Sequence, residues 1–527
     1  MNKLWLLTKT ELINLLTNST FRMSSKRKKA IGYLALILPA ALITYIFGVY
    51  SVAMFSEVPA ELAPMLFILM VFACFALLIF LSFYGAYGHL FGFKDYDLLM
   101  SLPIKKSSIM ASKLIAFVLT DYFYEFFMLV PLVVVYNMYY PQNIMFFVYA
   151  FIVFIFFPFI PITIASLASF LLNLFSRNSK YSGLFRNIFM VILMVGLIVA
   201  IMGMQMVVVS DVTYLTDIVS NFKNYLFVVY YPAVGILEQN IGYIAITLLL
   251  NIGAFVIFIL LANKLYVKLN GNLSVGYKVK NFKLTETRQS SITMALFKRE
   301  VKRYFSSVTY FINTFFGPFM LLAGVIYLAF NKSQLSMLPV ELSGDSLIPF
   351  AAIALLTTTL LTTTTSCSIS LEGDRLWILK SLPIPVEKMF WSKVLLNLMV
   401  EVPMTILAIL AFGIFFNISM LGILFLIVLE IVYAVLNSFL GLVINLYFPK
   451  LEWDRDVVVI KNSMSVLISI FLGMGLTAII GLIGLNLPSS ISLFMYAILL
   501  LVLGIVISGG LWIFLKTKGT KLFQKLY

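Results

Sequence analysis

The chain is poor in the residues that usually carry chemistry. Histidine occurs once in 527 residues and cysteine twice. Cys74 and Cys367 sit in apolar runs of different halves, which excludes a disulfide framework and leaves no cysteine-based metal site. His89 ends an apolar run with no ligand partner nearby and is read as an interfacial residue. Charge is also scarce: 11% of residues are charged, against roughly 25% in a soluble chain. That is too little polar surface to keep a fold in water, so lipid is the expected solvent. No G-x-x-x-x-G-K-[ST] phosphate loop, H-E-x-x-H or G-x-S-x-G motif occurs. No polar stretch is long enough to hold a nucleotide-binding domain. The chain is expected to have no catalytic residues, no bound metal and no cofactor of its own.

What the sequence has in abundance is apolar residues, 62% of the total. A membrane span takes about 20 of them. Runs over 30–52, 63–89, 114–137, 143–173, 188–210, 241–262, 308–330, 347–370, 394–416, 419–445, 464–487 and 490–515 give about twelve spans. The stretch 225–237 is apolar but too short to cross, and reads as re-entrant or interfacial. The net charge is +15, but the basic residues lie between spans, which speaks for loops on one side of the membrane and against nucleic acid. Arg22 and Lys26 to Lys29 precede the first span. Lys94, Lys105, Lys106 and Lys113 follow the second, and alternate loops repeat the pattern up to Lys525. The intervening loops carry Glu57, Glu61, Asp211, Asp217, Glu341 and Asp345. The expectation is an all-α polytopic membrane protein with both termini cytoplasmic, in contact with membrane lipids.

An internal repeat divides the chain. Ser101-Leu102-Pro103-Ile104 with Ser112-Lys113 recurs as Ser381-Leu382-Pro383-Ile384 with Ser392-Lys393, at a constant offset of 280. Upstream, Lys9 and Glu11 match Lys298 and Glu300. This predicts two parallel six-span repeats: a first half over 1–263, a basic linker over 264–291 and a second half over 292–527. Segments 3–20 and 292–306 are amphipathic and are expected to lie in the membrane interface. Each copy of the longer motif, FKDYDLLMSLPIKKSSIMASK (93–113) and LEGDRLWILKSLPIPVEKMFWSK (371–393), sets a few apolar residues in a ring of charge. Proline in the middle predicts two short helices with a break at Leu-Pro.

Acids inside spans are costly and so are candidate sites. Asp121 and Glu125 lie one turn apart in the third span, Glu401 in the ninth and Glu430 in the tenth; Asp121 and Glu401 share the 280 offset. The two equivalent acids are expected to make interhelical hydrogen bonds. The eighth span is rich in hydroxyls, among them Thr358, Thr362 and Thr365, which return hydrogen bonds to their own helix or line a path.

This layout resembles the permeases of bacterial ABC-2-type exporters, in particular the large fused form. The likeness rests on the Lys-x-Glu segment before the first span and on LLMSLPI and WILKSLPI between the second and third, with Ser-Lys leading onward. It implies that the turn is a coupling segment docking on a separate ATPase. The contacts would be Asp97, Leu98, Leu99, Met100, Ser101, Leu102, Pro103 and Ile104 in one half. In the other they would be Trp377, Ile378, Leu379, Lys380, Ser381, Leu382, Pro383 and Ile384. It further implies two cytoplasmic ABC ATPase subunits per chain, with ATP and Mg on those subunits, and a place in the bacterial cytoplasmic membrane. The substrate would be hydrophobic or amphipathic: a lipid, a peptide or a drug. The alternative is an ion-coupled secondary transporter using the intramembrane carboxylates; a membrane-embedded enzyme or scaffold ranks third.

Overall fold

A computed structural model describes residues 4–11, 26–56, 58–86, 90, 99, 101–176, 182–209, 223–273, 290–330, 344–453, 456–485 and 493–526. His89, Asp97, Leu98 and Met100 lie outside these, as do 274–289 of the linker, most of 3–20 and the loop acids Glu57, Asp211, Asp217 and Glu341. Within a bilayer every backbone polar group must be satisfied inside the segment that crosses it, so apolar runs of this length become helices. The described residues are mostly helical, with no strand among them.

Ten stretches among the described residues are long and apolar enough to cross a membrane. They match ten of the twelve spans expected from sequence. The other two, 30–52 and 188–210, fall on helices Lys26–Ser56 and Ser182–Val209, within which Ile43–Ser56 and Gly183–Gly196 are apolar among the described residues. The protein is an all-α, multi-pass membrane protein. It divides into two compact units, Met1–Phe282 and Lys283–Tyr527.

In the first unit, helices Lys26–Ser56 and Ala63–Ala86 are followed by the third span, Lys106–Tyr139. Its core joins Phe55, Phe67, Leu132, Tyr136 and Phe146, with the Tyr136 ring 4.9 Å from Phe67 and 5.8 Å from Phe146. The fourth span is broken at Phe157-Pro158 into Ile144–Phe156 and Phe159–Ser176, because proline lacks the N–H that would continue the ladder. The segment 225–237 contains a helix, Phe227–Leu237, whose Val229, Ala233 and Ile236 are fully buried in the same core. The sixth-span helix, Ile241–Leu273, runs ten residues past the boundary at 263 expected from sequence.

The second unit opens with the amphipathic helix Ile292–Ser306, then Val308–Phe330. The eighth span is not one helix. Ile348–Leu361 ends at Thr362, Thr365–Ser368 forms one turn, Ser370–Arg375 is a 3₁₀ stretch and Leu376–Ser381 a last short helix. Val386–Phe416, Met420–Tyr447, Met464–Leu485 and Leu493–Phe514 are its remaining long helices. The third-span helix and its counterpart both begin eight residues before the spans read from hydropathy, at Lys106 and Val386. The two short helices expected around Leu-Pro are therefore corrected. In the second half one short helix, Leu376–Ser381, precedes the break; in both halves the helix after it is the third-span helix itself.

Candidate functional site

The two copies of the Leu-Pro turn have the same geometry. The amide of Ile104 donates to the carbonyl of Leu102 at 2.7 Å, and that of Ile384 to Leu382 at 2.7 Å. Each is a three-residue turn centred on proline, whose fixed φ suits it. Leu102 is 42% exposed and Leu382 43%; Ser101, Pro103, Ser381 and Pro383 are exposed, and Ile104 and Ile384 half-buried. Lys105 and Pro385, again at offset 280, hold the extended N-cap position of the following helix, with φ −62° and −57° and ψ 130° in both. Of the other candidate contacts, Trp377 is 66% exposed and Ile378 is also exposed, whereas Leu379 is buried. Leu99 is half-buried. Lys380 turns back onto the backbone carbonyls of Gln524 and Leu526. The exposed apolar surface of the second copy is thus Trp377, Ile378, Leu382 and Pro383.

Behind each turn lies a buried ion pair that links the two repeated motifs. In the first unit Lys113 pairs with Glu11, both buried. In the second, Lys393 contacts Glu300 at 3.1 Å and Glu372 at 3.0 Å and donates to the carbonyl of Ser368 at 3.0 Å. Arg303 adds contacts to Glu372 at 2.7 Å and Glu300 at 3.5 Å, and Arg299 pairs with Glu372. Burial alone would lower the Arg303 pKa, but its hydrogen bond to Glu372 and the charges of Glu300 and Glu372 reverse this and hold it above the ordinary arginine value. Glu300 reaches inward because Leu296, Glu300 and Tyr304 form the buried stripe of helix Ile292–Ser306. This helix is thus fastened to the start of the third span of its half.

Next to Glu372, Gly373 adopts φ +52°, and a Cβ there would lie 2.9 Å from Trp453 Nε1 and 3.1 Å from the carbonyl of Leu451. Only glycine fits this turn into helix Leu376–Ser381.

The interior acids fall into two groups. Asp121 accepts a hydrogen bond from Ser82, and Glu401 accepts one from Thr362 at 3.2 Å. Both donor and acceptor pairs keep the offset of 280. Glu401 also accepts from Asn397 Nδ2 at 2.8 Å. Glu430 accepts from Thr359 at 2.8 Å and Thr405 at 2.9 Å. The structure brings Glu401 and Glu430 to the break in span eight. There Asn397 Oδ1 accepts from the amide of Thr364 at 2.7 Å, and Asn437 Nδ2 donates to the carbonyls of Thr359 at 2.5 Å and Thr362 at 2.7 Å. One turn pair further along, Asn445 Oδ1 accepts from the amides of Ile369 and Ser370. The backbone groups freed by the breaks are satisfied by asparagines of neighbouring spans, as an interior site requires.

Glu125 stands apart. It is buried, and neither carboxyl oxygen has a hydrogen-bond partner among the described residues. It sits at the place held by Thr405 in the other half, offset by 280. Thr358 bonds back to the carbonyl of Leu355 at 2.8 Å, and Thr365 to that of Ser438 at 2.8 Å; both act in packing.

Glu300, Glu372, Lys393, Asn397, Asn437 and Gly373 were missed as site residues. The repeated Lys-x-Glu and Ser-Lys motifs carried a signal for the first and third. Among the described residues no cluster of histidine, cysteine and acidic side chains forms a metal site. No curated protein and no solved structure gives a significant match to this chain. One family model does, described as "Putative ATP-binding cassette", over residues 19–461. The match takes in most of the chain, although the sequence contains no phosphate loop. The multi-pass fold and this match together place the protein in ABC-type transport, and the chain belongs to that ATP-binding-cassette family.

Proposed function

We propose that this chain is the membrane-spanning permease of an ABC exporter, driven by a separate ATPase that docks on the two Leu-Pro turns. The observation that carries this reading is their equivalence. Two segments 280 residues apart share one turn, one hydrogen bond, one exposure and one N-cap. A single kind of partner with two copies would select for that identity. Each turn presents Leu102-Pro103 or Trp377, Ile378 and Leu382-Pro383 as apolar knobs, the kind of anchor that fills a groove on a partner.

Each turn also leads without a break into a long helix, Lys106–Tyr139 or Val386–Phe416. A displacement of the docked ATPase would pass to that helix as a rigid-body shift. The Lys113–Glu11 pair and the Lys393 cluster would keep the amphipathic segment before the first span moving with it. ATP and Mg would be bound by the partner, and the turns would face the cytoplasm of a bacterial cell. The cargo would be hydrophobic or amphipathic, as the resemblance to exporter permeases implies.

Affinity capture of the full chain from its native membrane tests this. Recovery of an ATPase bearing a phosphate loop, lost on Leu102→Asp with Leu382→Asp, is the expected result. Recovery of the chain alone would refute it. A second reading, an ion-coupled secondary transporter, draws on Glu401 and Glu430 beside a broken helix. Transport that persists in ATP-depleted vesicles under an ion gradient would decide for it.

A further inference from the structure

The hydroxyls that face the carboxyls of Glu401 and Glu430 already have another acceptor. The Thr359 hydroxyl lies 2.9 Å from the carbonyl of Leu355 and 2.8 Å from Glu430 Oε2. The Thr405 hydroxyl lies 3.0 Å from the carbonyls of Glu401 and Val402 and 2.9 Å from Glu430 Oε1. The Thr362 hydroxyl lies 2.7 Å from the carbonyl of Thr358 and 3.2 Å from Glu401 Oε1. Each hydroxyl has one proton. A threonine that keeps its bond to its own helix can reach the carboxyl only by accepting, and then the proton must come from the glutamate.

Charge leads to the same place. Both glutamates are fully or almost fully buried, and among the described residues neither enters an ion pair. Two negative charges inside the bilayer without a cation are costly. A metal ion does not suit the site. Glu401 Oε2 faces the amide Nδ2 of Asn397, whose orientation is fixed because its Oδ1 takes the amide and hydroxyl of Thr364. The remaining carboxyl oxygens face hydroxyls. Such a donor set completes a carboxyl with hydrogen bonds rather than wrapping a cation in oxygens.

We infer that Glu401 and Glu430 form a proton-binding site, and that its occupancy sets the break in span eight. With a proton on Glu430, the carboxyl donates to Thr359 or Thr405, and that threonine returns its own proton to its helix. When the proton leaves, Glu430 becomes an acceptor on both oxygens, and both hydroxyls are drawn from their helix carbonyls. Thr359 and Thr362 are also where Asn437 holds the end of helix Ile348–Leu361. Protonation and the continuity of span eight are therefore linked through shared residues, Thr359 and Thr362.

Other titratable groups on the packed elements have partners elsewhere. Tyr310 donates to the carbonyl of Thr364, Tyr433 to that of Leu500 and Tyr496 to that of Ile480. Cys367 contacts the carbonyl of Thr364. Lys393, which pairs with Glu300 and Glu372, lies about two turns back along the helix from Glu401, and Arg303 belongs to that same cluster. Tyr327 is further along helix Val308–Phe330. None of these is hydrogen-bonded to either carboxyl among the described residues.

The inference is independent of what energises transport. Its test is infrared difference spectroscopy of the full chain in lipid nanodiscs, between acidic and alkaline pH. Wild type should show a protonated-carboxyl stretching band that is lost as pH rises and absent in E401Q/E430Q. T405V and T359V should shift the band, and T405S, which keeps the hydroxyl, should leave it in place. Three results would overturn the inference: no band that the glutamine variants remove, a band constant across the pH range, or a band insensitive to both valine variants. The serine variant separates a lost hydrogen bond from a lost fold.

Discussion

Replacing Lys393 by methionine removes the cation at the centre of the second unit's buried cluster while keeping the length of the side chain. Lys393 lies 3.1 Å from Glu300 and 3.0 Å from Glu372. At an effective dielectric near 20, each contact is worth about 5 kcal/mol before desolvation is counted. Burial offsets most of that, and breaking a buried pair from one side costs about 3–5 kcal/mol. The loss falls unevenly. Glu372 keeps Arg299 and Arg303, with the latter at 2.7 Å, whereas Glu300 keeps Arg303 only at 3.5 Å. Glu300 is therefore the group left short of a cation. It follows that Lys393→Met should lose about 3–5 kcal/mol, and that adding Glu300→Gln should restore part of it by removing the exposed deficit.

A unit of this size loses about 2–4 °C of midpoint per kcal/mol, so the single variant should melt about 10 °C lower. Heating the detergent-solubilised chain and following the monodisperse fraction by size exclusion would measure this. A Lys393→Met midpoint within about 2 °C of wild type, or a double variant less stable than the single, would refute the reasoning.

Three further outcomes can be checked with the same instrument. Gly373→Ala should cost about 1–3 kcal/mol for its backbone conformation alone and more from Trp453, and on the proposed function it should also weaken capture of an ATPase, because Gly373 aims helix Leu376–Ser381; unchanged melting would sink this. At Gly473 a Cβ would stand 2.3 Å from the carbonyl of Leu360, so Gly473→Ala should destabilise by about 1–3 kcal/mol, and a neutral result would mean that the two helices slide apart freely. Glu125→Met removes a buried carboxyl with no described partner; stability should rise on the order of 1–3 kcal/mol, and a fall in midpoint would show that Glu125 is satisfied after all.

Hydropathy was enough to read the helices because a bilayer makes them conspicuous, at about 20 apolar residues per crossing, and the repeat was read separately, from a motif at constant offset. It was not enough to place the starts of Lys106–Tyr139 and Val386–Phe416, whose first turns carry Lys106, Lys113, Glu387 and Lys393. Polar residues hide a helix from an apolar window, although the buried lysines prove to be part of its packing. The ion pairs were half-legible. Lys-x-Glu and Ser-Lys stood out as repeated, yet nothing local says that residues 102 or 93 positions apart will meet. The break in span eight left no mark at all. Thr362, Thr363 and Thr364 include neither glycine nor proline, and the groups that make the break tolerable, Asn397 and Asn437, belong to other spans.

The pattern of what the two halves share and where they differ bears on function. Held in common are the proline turn, the Lys–Glu pair and the hydroxyl–carboxyl bond of Ser82 to Asp121 and Thr362 to Glu401. On either side of that acid in the same third-span helices they part. Phe117 stands where the second half has Asn397, and Glu125 where it has Thr405. Those two replacements remove a donor to the acid at 121 and add an acid lacking a described donor. The fourth span carries no acid to match Glu430. On the proposed function this division is expected. Two copies of one ATPase constrain the turns and their clamps to stay alike, because each must accept the same groove. Nothing constrains the interiors to match, since a cargo that is not itself two-fold symmetric meets each half with a different face. A secondary transporter with no repeated partner would have had no reason to preserve the turns at the same exposure while its intramembrane carboxyls diverged.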